Sequence, residues 1–88
     1  MLFSLGQTVC TRGALNWSIE NDFNLITLLS RHVTGDWGDL GKEDQQLNWE
    51  ALAKEGRLFS SYKINGEKLY VITEWDRSVT TILLAHEY

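Results

Sequence analysis

Leu58-Phe59-Ser60-Ser61-Tyr62-Lys63-Ile64, then Asn65-Gly66, then Glu67-Lys68-Leu69-Tyr70-Val71-Ile72-Thr73-Glu74-Trp75 is the stretch that decides the fold. Two runs rich in β-branched and aromatic residues flank an Asn-Gly pair. Such a pair is a strong hairpin signal, because both central residues of the turn need positive φ. A two-residue turn sets the register: Ile64 faces Glu67, Tyr62 faces Leu69 and Ser60 faces Val71. Lys63 falls opposite Lys68, a like-charge pair tolerable only toward solvent. A second turn at Asp76-Arg77 returns Val79-Thr80-Thr81-Ile82-Leu83-Leu84 antiparallel to the middle run. One face then carries Leu58, Tyr62, Leu69, Val71, Ile82 and Leu84. The other carries Phe59, Tyr70, Ile72, Val79 and Leu83. Both are partly apolar, where a one-sided sheet alternates more cleanly. Either helices wrap both sides, or one face meets another chain, a second copy in a homodimer included.

Upstream of the hairpin the pattern is helical. Residues 42–54 predict a helix with Glu43 and Asp44 at its start and Lys54 at its end, the order the helix dipole favours. Asp39, or else Gly41, supplies its cap, and Gly56 closes it. Its apolar side is thin: Leu47, Ala51 and Leu52, with Trp49 beside them. Gln45, Gln46, Asn48, Glu50 and Glu55 are read as solvated surface. Before it, Ile19, Phe23, Ile26, Leu29 and Val33 recur at spacings of three and four, with Leu25 and Leu28 widening the stripe. Asn21 or Asp22 caps this helix, Arg31 and His32 occupy its last turn, and Gly35 stops it. Asp36-Trp37-Gly38-Asp39-Leu40 follows as a tight loop. At the start of the chain, Gln7–Thr11 is an edge strand or an extended lead-in. Thr11 caps a helical turn through Gly13-Ala14-Leu15-Asn16-Trp17, with Trp17 in the core.

The 88 residues suffice for one domain with one modest core. Hydrophobic residues are 43% and charged residues 23%, which argues against disorder. No apolar run reaches membrane-span length, and Met1–Gln7 lacks the basic start of a secretory signal. Cys10 is the only cysteine, which excludes an internal disulfide and suits a cytoplasmic setting. It reads as a small apolar residue rather than a nucleophile. The net charge of -4, from 12 acids against 8 Lys and Arg, argues against direct binding of duplex nucleic acid. It suits a basic partner surface instead.

Three groups of residues carry chemistry. His32, Asp36 and Asp39 offer N and O donors for a divalent metal if they share a helical face. Gly35 and Gly38 break that face, and the plainer reading puts His32 at a helix end and both Asp on loop amides. Glu74, Asp76 and Arg77 with Thr80 and Thr81 resemble a polar catalytic rim, but no nucleophile–base pair accompanies them. No phosphate-cradling glycine loop or zinc pattern is present, so no cofactor is expected. Trp37, Trp49 and Trp75 suit either a core or an interface hot spot. Trp37, between Asp36 and a glycine, is the one expected at the surface.

The strings Ser30-Arg31-His32, Gly35-Asp36-Trp37-Gly38-Asp39-Leu40 and Ile72-Thr73-Glu74-Trp75-Asp76-Arg77-Ser78-Val79-Thr80-Thr81-Ile82-Leu83-Leu84 resemble a family of short bacterial proteins. Phe3-Ser4-Leu5-Gly6-Gln7, Gly13-Ala14-Leu15 and the final Glu87-Tyr88 match as well, so the resemblance spans nearly the whole chain. The family is carried on plasmids, phages and integrated elements, and is loosely labelled plasmid-related or as a type I restriction subunit. The chain departs from it at Arg12, where proline is common, and at Ala85-His86, where proline and an acid are common. Nothing in the sequence resembles a methyltransferase motif.

The fold class expected is α+β: a C-terminal three-stranded antiparallel sheet, with a further short N-terminal strand in reserve, packed with two main helices. Charge and resemblance together imply an acidic binding protein of a mobile element. It would inhibit a host CRISPR effector or restriction complex by occupying its basic surface. The contact residues expected are Arg31, His32, Asp36, Trp37, Asp39, Glu43, Asp44, Glu74, Asp76 and Arg77, with Trp37 as anchor. This requires the Trp loop and the Asp-Arg turn to lie side by side, facing outward. The alternative is a small metal-dependent hydrolase or nuclease using His32, Asp36 and Asp39.

Overall fold

The computed structural model describes residues 1–88. Its elements run β1 (Gln7–Cys10), α1 (Arg12–Glu20), α2 (Ile26–Val33), α3 (Lys42–Lys54), β2 (Leu58–Ile64), β3 (Glu67–Thr73) and β4 (Val79–Leu84), with a 3-10 turn at Ala85–Glu87. The strands form one mixed sheet in the order β1-β4-β3-β2, with β1 parallel to β4 and the other pairs antiparallel. The α+β class holds, with three helices in place of two and the N-terminal strand present. No helix is long and apolar enough to cross a membrane.

The hairpin has the expected register, with Ile64 opposite Glu67 and Lys63 opposite Lys68. Asn65 and Gly66 take φ of 50° and 81°, as a two-residue turn of this type requires. The next turn sets Val71 opposite Ile82, which fixes the two faces as the sequence assigns them. Ala14 of α1 and Leu28 of α2 pack with Tyr62, Leu69, Val71, Ile82 and Leu84, and Ala51 of α3 packs with Leu58 and Trp37. All three helices therefore bury against the face that carries Leu58 and Tyr62. The opposite face, with Phe59, Tyr70, Ile72, Val79 and Leu83, contributes nothing to those clusters. Tyr88, after the 3-10 turn, sets its ring edge-on to Phe59 and Tyr70, at 5.9 and 5.8 Å. Helices wrapping both faces, one of the two expected explanations, is thus corrected.

The helical details correct the sequence reading in five places. Ile19 belongs to α1, and the chain turns at Asp22 with φ of 49°, so the stripe from Ile19 to Val33 spans two helices. Ile19 and Ile26 are 69% and 64% exposed. The side of α2 that meets the core is Leu25, Leu28, Leu29 and His32, spaced three, one and three. Asn24, not Asn21 or Asp22, satisfies its first turn, its Oδ1 accepting from the Ile26 amide at 3.0 Å. Gly41 caps α3, not Asp39. Glu55, rather than Gly56, takes the left-handed residue that ends it, with φ of 57°. Thr11 caps α1 as expected, accepting from the Ala14 amide at 3.1 Å.

Asn48 is the fifth correction. It is 3% exposed, not solvated. Its Nδ2 donates to the Phe59 carbonyl at 2.7 Å, and its Oδ1 accepts from the Phe59 amide at 3.0 Å. The side chain acts as a strand neighbour and closes part of the outer edge of β2. Asn48→Ala leaves both Phe59 groups without a partner, so about 1–3 kcal/mol of stability should be lost. A lowered urea midpoint with unchanged slope would register it.

Candidate functional site

The two strings singled out in the sequence do meet, but on the inside. His32 closes α2 and is fully buried. Its Nδ1 lies 2.5 Å from Ser60 Oγ and its Nε2 lies 2.9 Å from Thr73 Oγ1. Thr73 pairs with Thr80 at 2.7 Å, and the Thr80 hydroxyl donates to the Leu5 carbonyl at 2.7 Å. Each hydroxyl has one proton, which assigns the direction of the whole chain. Thr80 gives its proton to Leu5, so Thr73 donates to Thr80. His32 Nε2–H then donates to Thr73, and Ser60 donates to the bare Nδ1. The network uses every proton once with the imidazole neutral. Burial lowers the His32 pKa from 6.5 to about 4.

Trp37 packs against that histidine. Its ring is 5.6 Å from His32, 6.3 Å from Phe3 and 5.5 Å from Trp49. It is 2% exposed, and its Nε1 has no hydrogen-bond partner. The surface anchor expected at Trp37 is therefore overturned, and so is the exposed role given to His32. The reason lies in the next residue. Gly38 takes φ of 77°, and a Cβ there would stand 2.0 Å from the Ser61 carbonyl oxygen. Only glycine allows that approach. It lets the Ser61 amide donate to the Trp37 carbonyl at 3.1 Å, and the Asp39 amide donate to the Ser61 carbonyl at 2.6 Å. The loop is stitched to the edge of β2, and the indole has no direction left but inward.

Arg31 and Asp36 are paired with each other beside Tyr62. Arg31 Nε donates to Asp36 at 2.6 Å, and its guanidinium lies 4.5 Å from the Tyr62 ring centre. Tyr62 in turn donates to the Asp36 carbonyl at 2.7 Å. The Arg31 bond holds the Asp36 carboxyl below its ordinary range, and Asp36 raises Arg31. In the β3–β4 turn Arg77 has φ of 60°, an uncommon value for a residue with a side chain. Its guanidinium bonds the carbonyls of Gly56 at 2.6 Å and Ala51 at 3.0 Å, with Glu74 and Trp75 also in reach. It thereby terminates α3, as a cation at a helix C-terminus does. The same group stands 5.8 Å from the Phe3 ring, which stacks on Trp37. Arg77 and the loop thus join through Phe3, beneath the surface. Asp76 bonds the Ser78 amide and hydroxyl at 3.1 and 2.6 Å, which lowers its pKa.

The three candidate metal ligands are not brought together either. Both His32 nitrogens are occupied, Asp36 is bound to Arg31, and no three His, Cys, Asp or Glu residues stand together as ligands. The catalytic rim is likewise dispersed, because Thr80 lies in the buried network and Arg77 points into α3.

What remains outward is Asp39, Glu43, Asp44 and Asp76, together with Asp36, which is exposed but paired to Arg31, while Glu74 is half-buried and paired to Arg57 at 3.3 Å. The sequence reading passed over the site beside them. Leu40, Asp44, Leu47, Asn48, Arg57 and Phe59 line a cleft of about 290 Å³ between α3 and the rim of the helix-free sheet face. Leu47, 61% exposed, was the available signal: an apolar residue on a helix whose polar Asn48 takes the buried side. The chain matches no protein-family model, no curated protein and no solved structure.

Proposed function

We propose that this is a non-catalytic binding protein that meets a basic partner surface with the outer side of α3 and the cleft beside it. The supporting observation is a set of exposed acids, Asp39, Glu43, Asp44 and Glu50, none of them in an ion pair, of which Asp44 lines the cleft together with exposed Leu47. The two ion pairs of the molecule, Arg31–Asp36 and Arg57–Glu74, involve none of them. Glu43, Leu47, Glu50 and Lys54 recur at spacings of four, three and four, so they share one ridge of the helix. An exposed leucine alone means little. Here it lines a cleft with Leu40 and Phe59, whose charged lining residues are Asp44 and Arg57, an arrangement of apolar centre and polar rim that interfaces use. Leu47 takes the anchoring role that the buried Trp37 cannot fill. The resemblance of the two strings to mobile-element proteins directs the choice of partner toward a nucleic-acid-targeting defence complex, whose binding surface is basic.

The test adds the purified protein to reconstituted CRISPR and type I restriction reactions and reads cleavage and co-elution. Wild type should inhibit at least one and elute with it, less well as salt rises. Glu43→Lys with Asp44→Lys, and separately Leu47→Asp, should weaken this about tenfold or more. Leu47→Asp lies at an exposed position, so stability should move by no more than about 0.5 kcal/mol; the double lysine variant also reverses two charges that favour the start of α3 and should lose about 1–2 kcal/mol, which urea unfolding separates from lost binding. Inertness of the wild type toward every complex, or equal potency of the charge-reversed variant, would refute the reading.

A further inference from the structure

The helix-free face of the sheet carries charge of the opposite sign to the molecule as a whole. Cross-strand neighbours share a face, so Phe59 with Ile72, Ser61 with Tyr70 and Lys63 with Lys68 all stand on it. Arg57 and Glu74, one step beyond the pair of Leu58 and Thr73, meet on the same side at 3.3 Å. Three cations against one acid give this face a formal +2, on a chain of net charge -4. Asp44 lies across the cleft at the Arg57 end, Glu67 takes the opposite face with Ile64, and Glu87 is held at the start of α1 by the Thr11 hydroxyl at 2.6 Å. The positive end is therefore that of Lys63 and Lys68. Both are exposed, they stand directly opposite, and neither is in an ion pair. Like charges so placed repel, and an anion between them relieves the repulsion. Beside them stand three rings. Phe59 and Tyr70 lie 4.6 Å apart, and Tyr88, which meets both edge-on, is 66% exposed. The apolar floor of the face is already sealed, with Ile72 and Leu83 only 3% and 7% exposed. What it offers a partner is rings and cations.

We propose that this face binds single-stranded nucleic acid, with unpaired bases stacked on Tyr70 and Tyr88 and the phosphates held by Lys63 and Lys68. An aromatic platform flanked by cations meets both halves of such a strand, because every base has a π-face and every linkage a negative charge. The other anionic polymers fit less well. An acidic peptide would use the lysines and leave the rings idle. A duplex keeps its bases stacked within itself, and two lysines are too few to hold it against the acids on the rest of the surface. Arg57 and Lys63 are six residues apart along extended chain, roughly 20 Å, so the face is long enough for several nucleotides. None of Lys63, Lys68, Tyr70 and Tyr88 lines the α3 cleft, so this inference and the proposed function fail independently.

Fluorescence anisotropy of labelled oligo-dT and oligo-U, each about 12 nucleotides long, tests it with the full chain at about 20 mM salt. Both should bind, since neither the rings nor the lysines read the 2′-hydroxyl, with a dissociation constant on the order of 100 μM. Affinity should fall with salt on a log–log slope of about −1.4 to −2.1, as for two or three phosphates. Lys68→Glu turns the like-charge pair into an opposite-charge one. Its unfolding midpoint should hold or rise, while binding should drop about tenfold or more. Tyr70→Leu with Tyr88→Leu should weaken binding about tenfold or more at an unchanged slope. No binding of either oligonucleotide at about 1 mM protein would overturn the proposal. So would equal binding of polyglutamate or of a duplex of the same length, which would assign the face to charge alone. Undiminished binding by Lys68→Glu would overturn it too, by placing the contact elsewhere.

Discussion

Trp37→Ala should cost about 3–5 kcal/mol of folding stability, the range for deleting a large buried aromatic side chain. The indole fills the space among Phe3, His32 and Trp49 and is 2% exposed. Proteins of this size hold only about 0.05–0.15 kcal/mol per residue in total, so the variant should be close to unfolded. Urea titration followed by circular dichroism measures the loss. Trp37→Phe should cost much less, because the indole Nε1 has no hydrogen bond to forfeit. An indole that anchored a partner from the surface would give the reverse pattern, with stability intact and binding gone.

Acidification should destabilise the protein by roughly 3 kcal/mol between pH 6.5 and 4, through His32 alone. The folded pKa is lowered from 6.5 to about 4, because the buried ring is neutral in its hydroxyl network. In that window the unfolded chain takes up a proton that the folded chain refuses. Stability is therefore full above the unfolded value and falls as pH drops toward the folded one. The lowered carboxyls of Asp36, Asp76 and Glu87 act in the same direction, but only below the ordinary carboxylate range. Unfolding midpoints at several pH values separate the two. His32→Gln should be less stable at neutral pH and nearly flat across the upper window. An equally steep loss in His32→Gln would assign the effect to other groups.

The hairpin was legible because its information is local. Asn65-Gly66 names the turn, the turn fixes the register, and the register assigns both faces. The span of α3 was legible for the same reason, since its charges follow its own dipole. The joint between the strings was not. Whether Trp37 turns in or out depends on Gly38 reaching the Ser61 carbonyl, a residue in a strand that follows much later in the chain. His32 is ordinary as a last-turn cation, and becomes a buried base only when Ser60 and Thr73 arrive from two strands. Asn48 looks like solvated surface until the unpaired backbone of Phe59 lies beside it. Ile19 and Ile26 misled because helical spacing continues across a turn that Asp22 makes with positive φ. In each case the deciding partner is remote in sequence, and residue type gives no hint of it.

The molecule's organising feature is the sealed indole that ties the loop to the turn, and the most direct measurement is hydrogen exchange at the four indole nitrogens by NMR. The Trp37 signal, assigned with Trp37→Phe, should exchange only as fast as the whole domain opens. Trp49 and Trp75, 45% and 58% exposed, should exchange quickly. Exchange at Trp37 as fast as at Trp75 would contradict the account, and would return the Trp loop to the surface as a contact site.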